Sequence, residues 1–434
     1  MIYAYPRVIP AGSSMDIELR SDRPFFGEGE WYALFTPCEK FINAKDAVQV
    51  EVISGFPISH TTNHAVRLPL TGTGLFSRTI HVDCPVEQEY VIRIFAPCMP
   101  EPVAHAEIYA VDEDLQGLYA YKGDFHNHST YSDGQDAPRR MAQIARRKGY
   151  DFMALTDHGK FFPSVGLQEV FAEMPDLAMK TYTGEEVHLP YHQAHILNVG
   201  GAYSVNDLFF HNRDAFFAEI QKMQETTDVP DTVDPYTYCS ALWAFEQIRK
   251  AGGMSVFCHC YWRRAGGYEL SSVFTEEMLK LQPFDAMELI SGYPQSDADS
   301  NLLQLSRYFE LEKKPPVIGV SDAHTASPTS EAGGEEMMGS FYTMVLAKSN
   351  SFEDVCDGVL SMHSVAVDHV LPEHHRIYGP YRMVKYFQFL QRTFYPEHDL
   401  VAYKEAGRME LWGAEYLGGM KKEMDDLYHR VFAW

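Results

Sequence analysis

The sequence predicts a mixed α/β protein with two folded domains. At 434 residues the chain is longer than one hydrophobic core usually organises, and its 45% hydrophobic content can fill several cores. Short alternating strands dominate the first part, whereas apolar strands alternate with helical stretches after it. We therefore expect an N-terminal antiparallel β-sandwich over residues 1–120, a barrel-like parallel α/β domain over residues 121–370 and a C-terminal helical extension over residues 371–434.

The N-terminal prediction depends on short runs in which apolar and polar residues alternate. They are separated by Pro, Gly and Asp, and they read MDIELR, WYALF, VQVEVI, HAVRLPL, FSRTIHV, EYVIRIF and HAEIYAV. Several such strands at near-regular spacing are typical of an antiparallel sandwich. The region contains no pattern of catalytic residues.

The central prediction begins with a strand, helix and strand in DFHNH, DAPRRMAQIARRKGY and DFMALTDH. Further apolar strands are predicted at HILNVG, MSVFCH, DAMELIS and PPVIGVSDAH, with helices at ALWAFEQIRKAGG and NLLQLSRYFELEKK between them. This alternation favours a barrel-like α/β domain. After a strand at SVAVDHV, the segments YRMVKYFQFLQRTF and MKKEMDDLYHRVFAW predict amphipathic helices that cover the barrel or an oligomer surface, so a homo-oligomer stays open.

Composition argues against duplex nucleic acid and a membrane as partners and favours a cytoplasmic location. A formal charge of −24 argues against duplex nucleic acid, because proteins that bind it carry basic patches. Seven cysteines without a CxxC pair favour a reduced, cytoplasmic protein. Neither a signal peptide nor a run of ~20 apolar residues is present, so we expect a soluble protein with no membrane segment.

Candidate metal ligands follow several of the predicted strands. His126 and His128 are two residues apart at a strand end, so both can face one metal ion. The same placement recurs at three later strand ends, which carry Asp157 with His158, His259, and Asp322 with His324. Since active sites of parallel α/β barrels form at the carboxyl ends of the strands, these side chains predict one site rather than scattered structural residues.

The chemistry of these side chains indicates a catalytic metal centre. Histidine and carboxylate without cysteine suit Zn, Mn or Fe in an open site. Glu185 and Glu186 supply a carboxylate that can bridge two ions, and His195 follows nine residues after Glu186. Clustered cations generate hydroxide near neutral pH and stabilise in-line displacement at phosphorus, so no side-chain nucleophile is required.

Five motifs in this region, HNHSTYSDG, LTDHG, TGEEV with HILNVG, FCHCYW and GVSDAHT, resemble in order and spacing those of the PHP (polymerase and histidinol phosphatase) superfamily. The resemblance extends from about Gly123 to Val370 and implies a distorted (β/α)7-type barrel. Two departures occur: Asp133 stands where some relatives have histidine, and Cys260 replaces a usual proline. The first is a known variation, and the second leaves the ligand intact.

The resemblance also implies the ligands of two or three divalent ions (Mn, Zn or Fe). One ion would be held by His126, His128, Glu186 and Asp322, a second by Glu186, His195 and His259, and a third by Asp133, His158 and His324. The implied activity is hydrolysis of a small phosphorylated substrate, either a phosphomonoester or a phosphodiester in a small nucleotide or oligonucleotide, with Glu186 and His195 at the reacting centre. Hydrolysis of a carboxylic ester or amide, and a non-catalytic metal-bound binding module, stay open.

Other residues near the motifs are weaker candidates. Arg263 and Arg264 follow His259 by four and five residues, where a guanidinium group can grip a phosphate, although a solvated loop explains them equally well. Lys160 is a weaker candidate of the same kind. For five further residues we favour roles outside metal binding: a surface position for His188 and His192, orientation of a ligand histidine for Glu288, and core packing for Cys258 and Cys260.

Overall fold

The computed structural model describes residues 1–39, 48–50, 62–264, 266–326, 337–371, 374–411 and 413–434. It confirms the mixed α/β class. The chain divides into two compact units. Unit 1 comprises Met1–Tyr119, Gln388–Glu397 and Asp425–Trp434, and unit 2 comprises Ala120–Phe387 and His398–Met424.

The strands of unit 1 form two sheets. They are β1 (Ile2–Tyr5), β2 (Val8–Pro10), β3 (Ser13–Ser21), β4 (Tyr32–Pro37), β5 (Val48–Val50), β6 (Thr62–Pro69), β7 (Ser77–Cys84), β8 (Gln88–Phe95) and β9 (Ala104–Val111), followed by a 3-10 turn at Glu113–Leu115. The sheet orders are β1-β3-β7 and β2-β9-β8-β4-β6-β5. The seven predicted runs correspond to β3 through β9, and residues 51–53 of VQVEVI lie outside the described residues.

Alternating burial explains the strands of unit 1. In β7, Ile80 and Val82 are buried while His81 between them is exposed. Ile80 belongs to the same hydrophobic cluster as Ile17 of β3, Phe35 of β4 and Ile92 of β8, so both sheets contribute to one core. Pairing is antiparallel throughout the three-stranded sheet, whereas β2 and β9 pair in parallel. The finer description as a sandwich stays a prediction.

Unit 2 alternates strands and helices. Its elements are β10 (Tyr119–Asp124), α1 (Pro138–Arg147), β11 (Phe152–Ala154), α2 (Phe162–Ala172), β12 (Lys180–Tyr182), β13 (Gly184–His188), β14 (His195–Val199), α3 (Val205–His211), α4 (Arg213–Thr226), α5 (Pro235–Lys250), β15 (Met254–Phe257), β16 (Arg263–Arg264), β17 (Gly267–Tyr268), α6 (Ser272–Leu281), β18 (Ala286–Ile290), α7 (Ala298–Glu310), β19 (Val317–Gly319), β20 (Phe341–Ala347), α8 (Phe352–Leu360), β21 (Ser364–Leu371) and β22 (His374–Tyr378).

Four helices follow, namely α9 (Tyr381–Thr393), α10 (Tyr395–Met409), α11 (Ala414–Leu417) and α12 (Met420–Val431). The sequence predicted α9 and α12. Within the described ranges, no helix is long and apolar enough to cross a bilayer.

The sheets of unit 2 mix parallel and antiparallel pairs. Their orders are β12-β11-β10-β20-β21-β22 and β13-β14-β15-β18-β19. Strands β10, β11 and β12 run parallel, as do β15, β18 and β19, but β14 is antiparallel to both β13 and β15. The pairing does not confirm a (β/α)7 barrel, which stays a prediction. Because β14 runs opposite to β15, the start of β14 lies at the edge where β15 ends.

Candidate metal centre

The first histidine pair lies in the loop after β10 and not in the strand itself. The buried carboxylate of Asp124, the last residue of β10, accepts hydrogen bonds from the His126 N–H (3.1 Å) and the Ser321 hydroxyl (2.5 Å). The His128 N–H donates to the Ala323 carbonyl at 2.9 Å. These bonds tie the loop after β10 to the loop after β19, so that histidines distant in sequence from Asp322 lie beside it.

Asp157 fixes the rest of this loop from the end of β11. Its carboxylate accepts the N–H and the hydroxyl of Ser129, both at 2.7 Å, and the hydroxyl of Ser132 at 2.6 Å. Gly134 closes the turn so tightly that a Cβ there would lie 2.7 Å from the backbone carbon of His128. Glycine is therefore required next to Asp133, which explains the SDG sequence.

Glu186, within β13, lies at the centre of the site and is fully buried. Its Oε1 lies 2.7 Å from Nδ1 of His195 and 3.6 Å from Nε2 of His259. Its Oε2 lies 2.6 Å from Nδ1 of His158 and 3.4 Å from Nε2 of both His126 and His128. Neither carboxylate oxygen has a hydrogen-bond partner. One carboxylate therefore faces imidazoles on both of its oxygens.

Two aspartates complete the cluster. Asp322 Oδ1 lies 3.0 Å from Nε2 of His128 and 3.2 Å from Nε2 of His126. The backbone of Asp322 has a φ of 50°, in the left-handed region, a conformation that tends to be retained at functional sites. Asp133 Oδ1 lies 3.3 Å from Nε2 of His324, and its Oδ2 lies 3.4 Å from Nε2 of His158. All nine predicted ligands thus lie in one cluster.

Neighbouring carboxylates have separate roles. Glu288 at the centre of β18 places Oε2 at 3.0 Å from Nδ1 of His126 and accepts the His259 N–H at 3.0 Å, so it orients a candidate ligand as expected. Glu185 points the other way from Glu186, because successive strand residues face opposite sides. It accepts hydrogen bonds from the Ser204 hydroxyl (2.7 Å) and the Val205 N–H at the start of α3. Of the two glutamates in TGEEV, only Glu186 is positioned to bridge.

The electrostatics keep the carboxylates ionised. Burial alone would raise the pKa of Glu186, but the imidazoles of His195, His126 and His158 hold it well below its usual range. The histidines beside Asp133 likewise hold the pKa of that carboxyl below its usual range against the opposing effect of burial. Ionised carboxylates are the form that binds metal ions.

The donor set fits divalent metal ions. Ligand atoms of His128, Asp133, His158 and His324 lie within 4.8 Å of one another, and the same holds for His126, His128 and Glu186 and for His126, His259 and Asp322. Nε2 of His126, Nδ1 of His128 and both oxygens of Glu186 are buried without hydrogen bonds. Buried polar atoms are normally satisfied, and exceptions mark places where something binds. The ligand role of the nine residues nevertheless stays a prediction.

The weaker candidates separate into two groups. The side chain of His188 is 37% exposed, which agrees with the expected surface position, and its ring centroid also lies 4.5 Å from that of His158 and 4.2 Å from that of His195. Strand alternation was the signal for this proximity, since His188 is two residues from Glu186. His192 lies apart from the cluster, where Nε2 contacts the Thr237 carbonyl at 2.9 Å. Cys258 and Cys260 are buried, as expected for core residues.

The two arginines lie in the exposed β16–β17 hairpin. The Arg264 guanidinium is 5.9 Å from the ring centroid of Trp262, and that ring is 5.4 Å from the ring of His259. The Arg263 guanidinium instead lies over the Tyr268 ring at 5.8 Å. Of the two arginines, Arg264 is therefore the one that contacts a ring adjacent to His259.

A cavity of about 800 Å³ opens beside His158. Its wall includes Lys160 and the aromatic rings of Phe162 and Phe210, both of which are 58% exposed. Phe162 makes an edge-to-face contact with Tyr131 at 5.2 Å between centroids. Exposed aromatic rings beside a buried polar cluster are typical of a ligand pocket.

A cluster of histidines and carboxylates beside a cavity, as found here, is typical of metal-dependent hydrolases. Residues 124–252 match the family model of the PHP domain. The match covers the motifs HNHSTYSDG, LTDHG and TGEEV with HILNVG, so it confirms the predicted resemblance to the PHP superfamily over this segment.

Individual relatives match more narrowly. Over 81 residues the chain is 37% identical to the DNA polymerase/3'-5' exonuclease PolX of Bacillus subtilis (strain 168), a match that covers 18% of this chain and 14% of that protein. A two-domain protein of Bacteroides vulgatus, which contains a predicted PHP-like metal-dependent phosphoesterase, is 19% identical with a TM-score of 0.42, covering 63% of this chain and 71% of that one. An amidohydrolase of Chromobacterium violaceum with bound sulfate is 19% identical with a TM-score of 0.31, covering 49% and 90% respectively.

Proposed function

We propose that this chain, a metal-dependent hydrolase of the PHP type, cleaves phosphate esters in a small substrate, either a phosphomonoester or a phosphodiester of a small nucleotide or oligonucleotide. The proposal depends most on the fully buried carboxylate of Glu186. Imidazole nitrogens lie 2.6–3.6 Å from its two oxygens, and neither oxygen has a hydrogen bond. Such a carboxylate is suited to bridge two cations.

The cluster would hold two or three divalent ions, with Glu186 shared between neighbouring ions and Asp133, His158 and His324 forming an outer group. When bound, such ions acidify water, polarise phosphoryl oxygens and offset the charge that develops during in-line displacement. The residues of the chain supply the geometry. Glu288 fixes the ring of His126, and Asp157 fixes the loop that follows His128.

Side chains around the cluster would bind the substrate. Arg264 carries the positive charge that a phosphate needs on a protein of formal charge −24. The cavity beside His158 has room for the part of the substrate beyond the phosphorus, with Phe162 and Phe210 as apolar walls and Lys160 as a cation. The aromatic walls favour a substrate with a planar or apolar group attached to the phosphate.

The test combines metal analysis with a substrate screen. Purified protein is expected to contain at least two divalent ions and to release phosphate from phosphomonoesters, nucleotides or short oligonucleotides, with loss of activity on chelation and recovery on addition of Mn²⁺ or Zn²⁺. Oligonucleotides belong in the screen because of the similarity to the polymerase/exonuclease segment. Hydrolysis confined to carboxylic esters or amides would overturn the phosphoesterase proposal, and full activity in metal-free protein would overturn the metal-dependent mechanism.

A further inference from the structure

His188 lies in the cluster but is not one of the nine predicted metal ligands. It ends β13, two residues after Glu186, so both side chains lie on the same face of the strand. It is also paired in register with His195 of β14. The backbone thus directs His188 toward the same region as two candidate ligands.

The ring nitrogen of His188 has no partner of its own. Nε2 is buried and makes no hydrogen bond, and it lies 3.8 Å from Oε2 of Glu186. Nε2 of His188, Oε2 of Glu186 and Nδ1 of His158 belong to a group whose ligand atoms all lie within 4.8 Å of one another. Two donors bound to one ion at about 2.1 Å each are roughly 3.0–3.4 Å apart, so a small side-chain shift suffices.

We propose that His188 is a further metal ligand, which holds a divalent cation together with Glu186 and His158. The inference rests on the cluster being a metal centre, as in the proposed function, and not on the identity of the ester. Glu186 would then bind one ion through Oε1 with His195 and His259, and another through Oε2 with His158 and His188. In this arrangement His158 moves from the outer group to the Glu186 ion, and the outer group keeps Asp133 and His324, whose Oδ1 and Nε2 are 3.3 Å apart. Two imidazoles and a carboxylate suit Zn²⁺, Mn²⁺, Fe²⁺ or Co²⁺.

The strand end that carries His188 is held in place before any ion binds. The Asn206 side chain accepts the His188 N–H at 3.0 Å and donates to the Glu186 carbonyl at 3.1 Å. Asn206 also donates to the Glu185 carboxylate at 2.8 Å. A ligand on a backbone fixed in this way binds with little loss of conformational freedom.

His192 supplies a matched control from the same connection between β13 and β14. Its Nε2 contacts the Thr237 carbonyl at 2.9 Å, and its Nδ1 accepts the Ala194 N–H at 2.7 Å, so both nitrogens are satisfied by the backbone. Replacing His192 therefore disturbs the local fold without removing a donor from the cluster.

The experiment measures binding of Co²⁺ alone to the full chain, after removal of bound metal, by titration and by visible absorption, which reports coordination geometry. His188→Ala is expected to bind one ion fewer than the wild type, or one ion at least about tenfold more weakly, with an altered absorption band. His192→Ala should keep the stoichiometry and band of the wild type. His188→Asp, which supplies a carboxylate donor in place of the imidazole, should recover part of the lost binding.

The outcomes distinguish failure of the proposed metal-dependent function from failure of the ligand role of His188. If the wild type binds no divalent ion, the proposed metal-dependent function fails together with this inference. If the wild type binds ions and His188→Ala matches it in stoichiometry, affinity and absorption, only the ligand role of His188 is overturned. A circular dichroism spectrum and melting temperature equal to those of the wild type establish that His188→Ala is folded.

Discussion

Unit 2 contains two buried groups of ionisable side chains that differ in how their polar atoms are satisfied. One is the metal cluster around Glu186. The other, here called the Asp151 network, consists of Lys122, Arg146, Asp151, His398, Asp399 and Glu405. Both combine histidine with carboxylate, and both lie among residues far apart in sequence.

In the Asp151 network the groups satisfy one another. His398 contacts Asp151 Oδ1 at 2.8 Å through Nε2 and Asp399 Oδ1 at 2.9 Å through Nδ1. Arg146 pairs with Asp151 at 3.0 Å and with Glu405, although its Nη2 makes no hydrogen bond. Lys122 contacts both oxygens of Asp399 at 2.9 Å. Permanent cations balance carboxylates here, so the network is complete without a ligand.

In the metal cluster the carboxylates face imidazoles, and several atoms have no hydrogen bond. A buried polar atom left unsatisfied typically costs about 1–3 kcal/mol, so such atoms persist where binding offsets the cost. A buried charge is therefore not by itself a sign of function. Carboxylates balanced by permanent cations indicate a structural network, whereas a buried carboxylate that faces several imidazoles and makes no hydrogen bond favours a ligand site.

The largest expected effect is that of Glu186→Gln, which should abolish hydrolysis and remove two ions, because the amide cannot bridge cations. Asp133→Ala should remove only the third ion and leave a partly occupied site. Metal content by elemental analysis and initial rates check both variants. Equal metal loss in the two would contradict the bridging role of Glu186.

The counterpart in the Asp151 network is Asp151→Asn, which should destabilise unit 2 by about 3–5 kcal/mol while leaving metal content unchanged. Arg146 then loses one of its two buried carboxylate partners, keeping Glu405, and cannot release its proton, unlike the imidazoles around Glu186. Urea unfolding of metal-free protein should therefore show a larger loss for Asp151→Asn than for Glu186→Gln. Glu246→Gln, which breaks an exposed pair with Lys250, is the control and should cost less than about 1 kcal/mol.

A smaller effect is expected at the β16–β17 hairpin. If Arg264 grips a phosphoryl oxygen, Arg264→Ala should raise KM roughly ten- to a hundredfold, which corresponds to about 1.5–3 kcal/mol for a charge-assisted contact, and leave metal content unchanged. Lysine should restore affinity only in part, because it lacks the planar fork. Arg263→Ala is the matched control, since it faces Tyr268. Unaltered kinetics in the double alanine variant would identify both arginines as solvated loop residues.

The smallest effect is the pH dependence of the unfolding free energy that His398 contributes. Burial alone would lower its pKa, but Asp151 and Asp399 raise it above the ordinary 6.5. Protonated His398 therefore stabilises the fold fully below about pH 6.5, and the stabilisation is lost as pH rises through the raised folded pKa. The difference in unfolding free energy between wild type and His398→Gln should be largest below about pH 6.5 and should shrink as the pH rises through the raised folded pKa. A constant difference, or one as small as that for the exposed His105→Gln, would remove His398 from the network.

Much of the candidate site could be predicted from the chain alone. Short spacings such as His126 with His128 and Asp322 with His324 are local, and their positions after apolar strands follow from period and composition. Glu288 was also expected beside a candidate ligand histidine, and its Oε2 lies 3.0 Å from Nδ1 of His126. Gly134 accounts for the glycine of the SDG sequence, because its lack of a Cβ permits the turn against His128.

Other features depend on the register between strands, which the sequence does not encode locally. The antiparallel direction of β14 brings His195 to the ends of parallel strands, and its pairing with β13 brings His188 into the cluster. The two glutamates of TGEEV are indistinguishable in sequence. Only the sheet decides that Glu186 faces the histidines while Glu185 satisfies the start of α3.

The sequence by itself determined the classes of element, the ligand types and the chemistry they permit, because these follow from local periodicity and from the preferences of imidazole and carboxylate. The tertiary structure decided which buried charges satisfy one another and which do not. Asp151 and Glu186 are both buried acids. Arg146 is only five residues from Asp151, but long-range packing brings His398 to Asp151 and a ring of imidazoles to Glu186. Hydrogen-bond satisfaction depends on distances of a few tenths of an ångström between residues far apart in the chain, which only the folded arrangement fixes.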